Sequence, residues 1–151
     1  MTGRLKRAID VATFAHSGQL DKRGQPYIAH PLRVMEALEL VSEDAMIAGV
    51  LHDTVEDTDT TLDSIRDAFG QEVAEIVDSV SQRPGEEYLD FIRRSNAHPV
   101  GRLVKIADIC DNLLPSRMAG RSPGAEEKYR SALAILEAYP SKIVVLRSKQ
   151  P

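Results

Sequence analysis

The chain has 151 residues, of which 42% are hydrophobic and 28% are charged, and its formal net charge is −4. This length suits one domain with its own core, and we predict a single domain over residues 1–151. The net negative charge argues against a nucleic-acid-binding surface, because such a surface needs clustered Lys and Arg. No apolar run approaches the roughly 18 residues that a membrane-spanning helix needs.

The first helix is predicted over residues 3–17, because Leu5, Ile9 and Ala12 recur at helical spacing. A Ser-Gly pair marks its end. His16 lies on the same apolar stripe, so we expect a core or cap histidine rather than a metal ligand.

Residues 18–30 lose this periodicity and contain glycine and proline, so we predict a loop. Irregular segments of this length often bind ligands, and Lys22-Arg23 would give this one a cationic tip. A solvated turn with a chance basic pair is the alternative. His30-Pro31 then opens a helix, with proline where its missing N–H costs nothing. A lone histidine there is more often a polar contact than a ligand.

Two helices are predicted next, over residues 31–41 and from Glu43 to about Asp53. The second follows Ser42, a favourable N-cap, and its acidic first turn suits the helix dipole. Its residues 45–51 are all apolar or glycine, so we expect this helix to be buried.

The stretch that ends this helix places one imidazole and three carboxylates within six residues. If the helix continues, His52 and Glu56 share one face, and Asp53 and Asp57 share a second face about 100° away. His52 and Asp53 could then close on one cation. An ordinary acidic helix end at the surface is the alternative that this stretch alone leaves open.

Three further helices are predicted over residues 62–69, 73–80 and 86–96. Gly70 closes the first, and a Pro-Gly pair stops the second. The third is short and highly charged.

The next helix is predicted to open at Pro99 and to be apolar almost all round as far as Leu114, which places it in the core. Asp108 interrupts it, and a buried ionised carboxylate is costly unless a cation or metal pairs with it. A salt bridge to Lys105, one turn back, is the alternative to metal ligation. Asn112 lies one turn on, on the same face.

The C-terminal part contains a predicted loop over residues 115–124, which holds Arg117 and Arg121, a helix over residues 125–139 and a short apolar segment over residues 141–147. Together these patterns predict an all-α fold. Helix-forming residues also dominate over β-branched runs in the composition.

The single cysteine, Cys110, cannot form an intrachain disulfide and lies in an apolar stretch, where a packing role is expected. A reducing compartment is its natural environment, and the N-terminus has no signal-peptide core, so we predict a cytoplasmic protein. The sequence predicts no oligomeric state.

A metal site emerges when the candidate residues are taken together. Its expected ligands are two imidazoles and two carboxylates from three helices: His30, His52, Asp53 and Asp108. Mixed nitrogen and oxygen ligation suits Mn²⁺, Fe²⁺, Co²⁺ or Zn²⁺, and the carboxylate share makes six-coordinate Mn²⁺ the first choice. Such an ion acidifies water and neutralises phosphate, which suits phosphoester hydrolysis. Glu56 and Asp57 would then orient the nucleophile or move its proton.

Four segments carry a resemblance to a known family: Ala15-His16-Ser17-Gly18-Gln19, Gly24-Gln25-Pro26-Tyr27-Ile28-Ala29-His30-Pro31, Leu51-His52-Asp53-Thr54-Val55-Glu56-Asp57-Thr58 and Lys105-Ile106-Ala107-Asp108. In this order they resemble the hydrolase domain of RelA/SpoT-type proteins, which are HD-domain phosphohydrolases. The resemblance runs from about residue 4 to residue 114. Because no synthetase domain fits in the remainder, the chain most resembles the single-domain small alarmone hydrolases.

The resemblance implies a compact multi-helix HD-domain fold and Mn²⁺-dependent removal of the 3′-pyrophosphate from guanosine tetra- or pentaphosphate, which gives GDP or GTP and pyrophosphate. It implies roles for nine residues: His30, His52, Asp53 and Asp108 in metal binding, Glu56 and Asp57 in serving the attacking water, Lys22 and Asn112 in nucleotide contact, and Tyr27 in shaping the pocket. The implied partner is therefore a small anionic nucleotide.

Asp21 departs from the family pattern, which has a basic residue there that packs against the base. Base preference is therefore open, and adenosine alarmones or another 3′-phosphorylated nucleotide such as NADPH are alternatives. Pro115 and the loop after it also depart from the pattern. Two other hypotheses are a broader nucleotide phosphohydrolase that releases orthophosphate and a non-enzymatic nucleotide-sensing protein. The presence of every expected ligand argues against the latter.

Overall fold

The computed structural model describes residues 1–137, which confirm the all-α prediction. Their ten helices are α1 (Gly3–Ala15), α2 (Ala29–Ala37), α3 (Glu43–Leu51), α4 (Thr54–Asp57), α5 (Leu62–Phe69), α6 (Gln71–Ser79), α7 (Tyr88–Ala97), α8 (Gly101–Asn112), α9 (Pro115–Met118) and α10 (Ala125–Leu136). Within this part the only β pairing is an isolated bridge between Leu20 and Pro26.

Helix α3 forms the centre of the larger hydrophobic core, as its apolar sequence predicts. Helices α1, α2 and α6 pack around it. Gly49 allows α2 to come close, because a Cβ added there would meet Leu38 Cδ1 at 2.6 Å and Met35 Cα at 3.3 Å. This contact brings the start of α2 and the end of α3 to the same place.

Helix α8 lies between two hydrophobic clusters. Val104 and Ala107 pack into the larger core, whereas Ile106 and Ile109 pack with α7 and α10 in a smaller one. Full burial of a Val or Ile side chain contributes about 1.5–3 kcal/mol. Asp108 is therefore held on a helix that packing fixes from both sides, as the sequence predicts.

The chain does not continue as one helix through the acidic stretch. Helix α3 ends at Leu51, His52 and Asp53 form a turn, and α4 begins at Thr54. His52 Nδ1 lies 2.7 Å from the Gly49 carbonyl oxygen, and Thr54 Oγ1 donates to the Leu51 carbonyl. These side chains bind the backbone carbonyl groups of residues three positions earlier in the chain, and such bonds compete with the backbone hydrogen bonds of a regular helix. The unbroken helix on which the predicted pairing of His52 with Glu56 depends is therefore absent.

The predicted loop over residues 115–124 is also partly wrong, because Pro115–Met118 forms the short helix α9 with proline at its first position. The other predicted helices are present with ends shifted by a few residues. Residues 138–151, including the predicted segment over residues 141–147, lie outside the described residues. None of the helices in the described part combines the length and apolar composition needed to cross a bilayer.

Candidate metal centre

Four predicted ligands come from three parts of the fold and meet in the protein interior. His30 lies in the first turn of α2, His52 and Asp53 in the turn after α3, and Asp108 in the middle of α8. Asp108 Oδ1 is 3.0 Å from His30 Nε2 and 3.3 Å from His52 Nε2. Asp53 Oδ2 is 3.6 Å and 3.1 Å from the same two nitrogens. The structure thus brings together all four side chains on which the metal prediction depends.

The orientation of His52 suits a cation. Its Nδ1 contacts the Gly49 carbonyl oxygen, which can only accept, so Nδ1 carries the proton and the neutral ring has its lone pair on Nε2. That nitrogen is buried without a hydrogen-bond partner and faces the carboxylates of Asp53 and Asp108. Burial lowers the pKa of His52, but the charges of Asp53 and Asp108 raise it well above its usual value, so this point favours a positive charge, which a proton or a divalent cation can supply.

His30 is oriented in the same way by Asp111. The His30 Nδ1 atom lies 2.7 Å from Asp111 Oδ2, and Arg33 donates to both oxygens of that carboxylate at 2.8 and 3.1 Å. Burial opposes ionisation of Asp111, but the hydrogen bonds from His30 and Arg33 lower its pKa to about 2. An ionised carboxylate accepts the Nδ1 proton, so His30 Nε2 points its lone pair into the centre.

Asp111 was missed by the sequence analysis. Its position three residues after Asp108, on the same predicted helix, could have indicated that the two carboxylates lie close together.

Asp108 takes part both in the candidate metal centre and in a salt bridge. Lys105 Nζ donates to Oδ2 at 2.8 Å, whereas Oδ1 faces the two histidines and accepts from Asn112 Nδ2 at 3.2 Å. Burial would raise the pKa of Asp108, but the Lys105 ammonium holds it well below its usual range. The salt bridge and the metal site, posed above as alternatives, are therefore compatible.

Tyr27 and His16 support the centre from the loop before α2. Tyr27 Oη donates to Asp53 Oδ2 at 2.5 Å. His16 is buried, and its ring centroid lies 5.1 Å from that of Tyr27. Its Nδ1 lies 2.8 Å from Gln19 Oε1, which agrees with the expected packing role outside the ligand set.

The two candidate proton-transfer residues lie at the rim, in α4. Desolvation, together with the charges of Asp53 and Glu56, raises the pKa of Asp57 to about 6. Desolvation also raises the pKa of Glu56, whose carboxylate accepts the Gln82 backbone N–H. Carboxyl groups whose pKa moves towards neutrality are suited to proton transfer. Neither belongs to the buried group of ligands.

The predicted nucleotide contacts occupy different positions. Lys22 is exposed and lines a cavity of about 290 Å³ next to Tyr27. Asn112 is buried, and besides donating to Asp108 it accepts a hydrogen bond from Arg117 Nη2 at 2.9 Å. Lys22 is thus open to a ligand, whereas the Asn112 amide is engaged by protein groups on both sides. Arg117, noted in the sequence only as part of a loop, also lines the cavity.

Comparisons with known proteins agree with this geometry. The family model of the HD domain matches residues 8–99. A guanosine-3′,5′-bis(diphosphate) 3′-pyrophosphohydrolase of Aquifex aeolicus (strain VF5) is 37% identical over 119 residues, which are 72% of this chain and 17% of that protein. A probable GTP pyrophosphokinase of Mycobacterium leprae (strain TN) is 36% identical over 124 residues, 75% of this chain and 16% of that protein. The chain therefore spans less than a fifth of the length of these relatives.

One solved structure has the same fold. It is described as a metazoan ortholog of SpoT that hydrolyses ppGpp, and it superposes with a TM-score of 0.81 over 96% of this chain and 92% of that chain. The two sequences are 22% identical, so the likeness concerns the fold.

Proposed function

This chain belongs to the HD domain family, and from that membership we propose that it is a metal-dependent hydrolase of the 3′-pyrophosphate of guanosine tetra- and pentaphosphate. The products are GDP or GTP and pyrophosphate. One observation carries the proposal: two imidazole nitrogens and two carboxylate oxygens, far apart in sequence, converge on one buried point.

The proposed ligands are His30, His52 and Asp108, whose ligand atoms lie within 4.8 Å of one another, together with Asp53, whose Oδ2 lies 3.6 and 3.1 Å from the two histidine nitrogens. Two nitrogens with two oxygens suit Mn²⁺, with Fe²⁺, Co²⁺ or Zn²⁺ as alternatives. When bound, a divalent cation of this kind supplies Lewis acidity, because it neutralises phosphate charge and lowers the pKa of water.

The protein's own groups complete the proposed chemistry. Glu56 and Asp57 stand at the rim with raised pKa values, so either carboxylate can accept a proton from the attacking water near neutral pH. Tyr27 holds Asp53 in place through its hydroxyl group, and its ring forms one wall of the adjacent cavity. Lys22 contacts the nucleotide in that cavity. Asn112 has a positioning role, because its amide donates a hydrogen bond to Asp108 and orients that carboxylate.

The names of the relatives include both a hydrolase and a kinase of guanosine nucleotides. The matched part is a small fraction of each, and we assign hydrolysis to it because its candidate metal centre suits the activation of water. We also propose that this single domain is cytoplasmic, because a chain with one cysteine, Cys110, cannot form an intrachain disulfide and suits a reducing compartment.

Asp21 favours a second candidate substrate class. Its Oδ1 accepts the backbone N–H groups of Arg23 and Gln25, so the side chain is turned into its own loop and offers no cation to a base. Adenosine alarmones and other 3′-phosphorylated nucleotides such as NADPH are therefore the alternative substrates for the same centre.

A turnover assay tests the proposal. Purified protein with Mn²⁺ and guanosine tetraphosphate is expected to release pyrophosphate, and Asp53→Asn is expected to abolish the release because a charged ligand is lost. Asp59→Asn, an exposed position six residues later, is the matched control and should retain activity. No turnover of any 3′-pyrophosphorylated purine nucleotide would contradict the proposal, and release of orthophosphate would point to a broader phosphohydrolase.

A further inference from the structure

Helix α4 carries both candidate proton-transfer residues on a single turn of four residues, Thr54–Asp57. A helix this short does not maintain itself, because its few backbone hydrogen bonds do not offset the entropy lost when the chain is ordered. Its last carbonyl groups also have no partner within the helix. The positions of Glu56 and Asp57 therefore depend on contacts from other parts of the fold.

Gln19 provides one of these contacts, from the loop between α1 and α2. Its side-chain Nε2 donates a hydrogen bond of 3.0 Å to the backbone carbonyl of Asp57, the last residue of α4. The backbone of Gln19 is held on both sides, because its N–H donates to the His16 carbonyl at 3.0 Å and its carbonyl accepts from the Tyr27 N–H at 2.9 Å. Gln19 thus joins a fixed part of the loop to the end of the helix that carries the two carboxylates.

The imidazole of His16 fixes the side-chain amide of Gln19. The Asp57 carbonyl can only accept, so the NH₂ group of the amide faces α4, and Gln19 Oε1 faces His16 Nδ1 at 2.8 Å. That oxygen also can only accept, so Nδ1 carries the proton and donates it. The Gln19 amide is therefore held at both ends in a single orientation.

The same arrangement leaves the other nitrogen of His16 without a hydrogen bond. The residue is 2% exposed, and its Nε2 is buried with no partner among the described residues. An unpaired buried acceptor lowers stability, whereas an aliphatic side chain of similar volume fills the same space without that cost. Packing alone thus does not account for a histidine at this position, but the Nδ1–H that Gln19 accepts does.

We propose that His16 and Gln19 are positioning residues of the reaction: His16 orients Gln19, and Gln19 holds the end of α4 so that Glu56 and Asp57 stay at the rim of the metal centre. This inference rests on the proposed function. Neither residue is a proposed metal ligand or lines the cavity that holds Lys22. Their loss should therefore lower kcat, because a displaced proton acceptor slows the chemical step, and leave KM and the metal Kd nearly unchanged.

Amide hydrogen exchange of the metal-free chain tests the contact without turnover. The N–H groups of Asp57 and Thr58 each donate to the carbonyl four residues earlier, so their exchange rates measure how often the end of α4 opens. Gln19→Met keeps the length of the side chain and removes both of its hydrogen bonds. We expect it to raise these exchange rates about five- to tenfold, as the loss of one hydrogen bond to α4 implies.

Gln71→Met is the matched control for this experiment. Gln71 is an exposed residue of α6 whose amide is also bonded at both ends, since it accepts from Arg66 and donates to Glu75. Its replacement should leave the exchange of the α4 amides unchanged. Exchange rates in Gln19→Met that equal those of the unmodified chain overturn the proposal.

Two His16 variants separate positioning from packing, with Mn²⁺ and guanosine tetraphosphate as the assay. His16→Asn keeps an N–H donor near the position of Nδ1 and is expected to retain kcat within about twofold. His16→Leu keeps the volume but has no donor, so kcat should fall about tenfold at an unchanged KM, whereas Tm should not fall because the unpaired Nε2 is gone. Equal losses of kcat in both variants, or a loss that accompanies a lower Tm, overturn the proposal. A changed metal Kd also overturns it, because His16 would then act through Tyr27 and Asp53.

The double variant His16→Leu/Gln19→Met tests whether His16 acts through Gln19. Its kcat is expected to equal that of Gln19→Met alone, because His16 has no amide left to orient. Losses that multiply to about a hundredfold overturn this link, since independent effects add as free energies. If the unmodified protein turns over no 3′-pyrophosphorylated nucleotide, the proposed function fails, and the exchange rates of the α4 amides then decide the role of Gln19 separately.

Discussion

Asp111 determines which nitrogen of His30 faces the metal centre. The carboxylate is fully buried, accepts from Nδ1 and is fixed by both Arg33 donors. Carboxylates in this position set the tautomer of a ligating histidine and raise its basicity. Asp111 thus contributes to the centre without touching the point where the four ligands meet.

Replacing Asp111 with Asn is expected to weaken metal binding by about 10–100-fold, because a neutral amide no longer fixes the His30 tautomer. Competition with a chromophoric chelator measures the metal Kd. Asp90→Asn is the matched control, since it removes the same charge from an exposed carboxylate that also pairs with an arginine, Arg93. An unchanged Kd in Asp111→Asn contradicts the positioning role.

The sequence identified the four candidate ligands but not the residues around them. His30, His52, Asp53 and Asp108 stand out because polar groups next to apolar runs need partners. The partner of His30 is 81 residues away in the chain, and only the packing of α2 against α8 brings Asp111 to it. Contacts of this kind depend on tertiary structure and have no local sequence pattern.

The packing of α2 against α3 brings the His30 and His52 ring centroids to within 5.1 Å of each other. His30 opens α2 and His52 follows α3, and Gly49 is the position where a side chain is excluded between these helices. The sequence predicted both helices but not this close approach, because a glycine within an apolar run is compatible with many packings.

Gly49→Ala is expected to lower the free energy of unfolding by about 1–3 kcal/mol, because its Cβ would overlap Leu38 and approach the Met35 backbone. Urea unfolding followed by circular dichroism measures the change. Gly3→Ala is the control, since an added Cβ there meets nothing within 4 Å. Equal stability of the two variants would show that α2 can move away at no cost.

Arg94 ties α7 to the turn that follows α6. It donates to both oxygens of Glu86 at 2.9 Å and to the carbonyls of Asp78 and Ser81. The hydrogen bonds from Arg94 lower the pKa of Glu86 to about 2. The folded-state pKa is therefore below the unfolded value, so this stabilisation is present above about pH 4.5 and is lost as the pH falls towards 2.

Glu86→Gln is accordingly expected to be less stable than the unmodified chain at pH 7, by about 1 kcal/mol, and the difference should shrink steadily between pH 5 and pH 3. Denaturant titrations of both proteins across this range provide the measurement. A difference that stays constant with pH means that the charge of Glu86 contributes nothing through Arg94.

At the scale of the whole molecule, the metal centre lies where separate parts of the described chain meet. Helix α2 and the turn after α3 belong to the larger core, whereas α8 packs into both hydrophobic clusters. A cation bound by His30, His52, Asp53 and Asp108 therefore connects elements that are otherwise joined by apolar contacts and by the bonds of Asp111. The free energy of metal binding is then also free energy of folding.

Saturating Mn²⁺ is expected to raise the midpoint of thermal unfolding, because the ligands form a site only in the folded chain. At a metal concentration 100 times Kd the stabilisation is about 2.7 kcal/mol, which corresponds to roughly 5–10 °C for a chain of this size. Differential scanning fluorimetry with and without chelator measures it, and Mg²⁺ at the same concentration controls for ionic strength. In Asp53→Asn the shift should be largely lost, because one of the two carboxylate ligands loses its charge. An equal shift in Asp53→Asn would place the stabilising ion elsewhere.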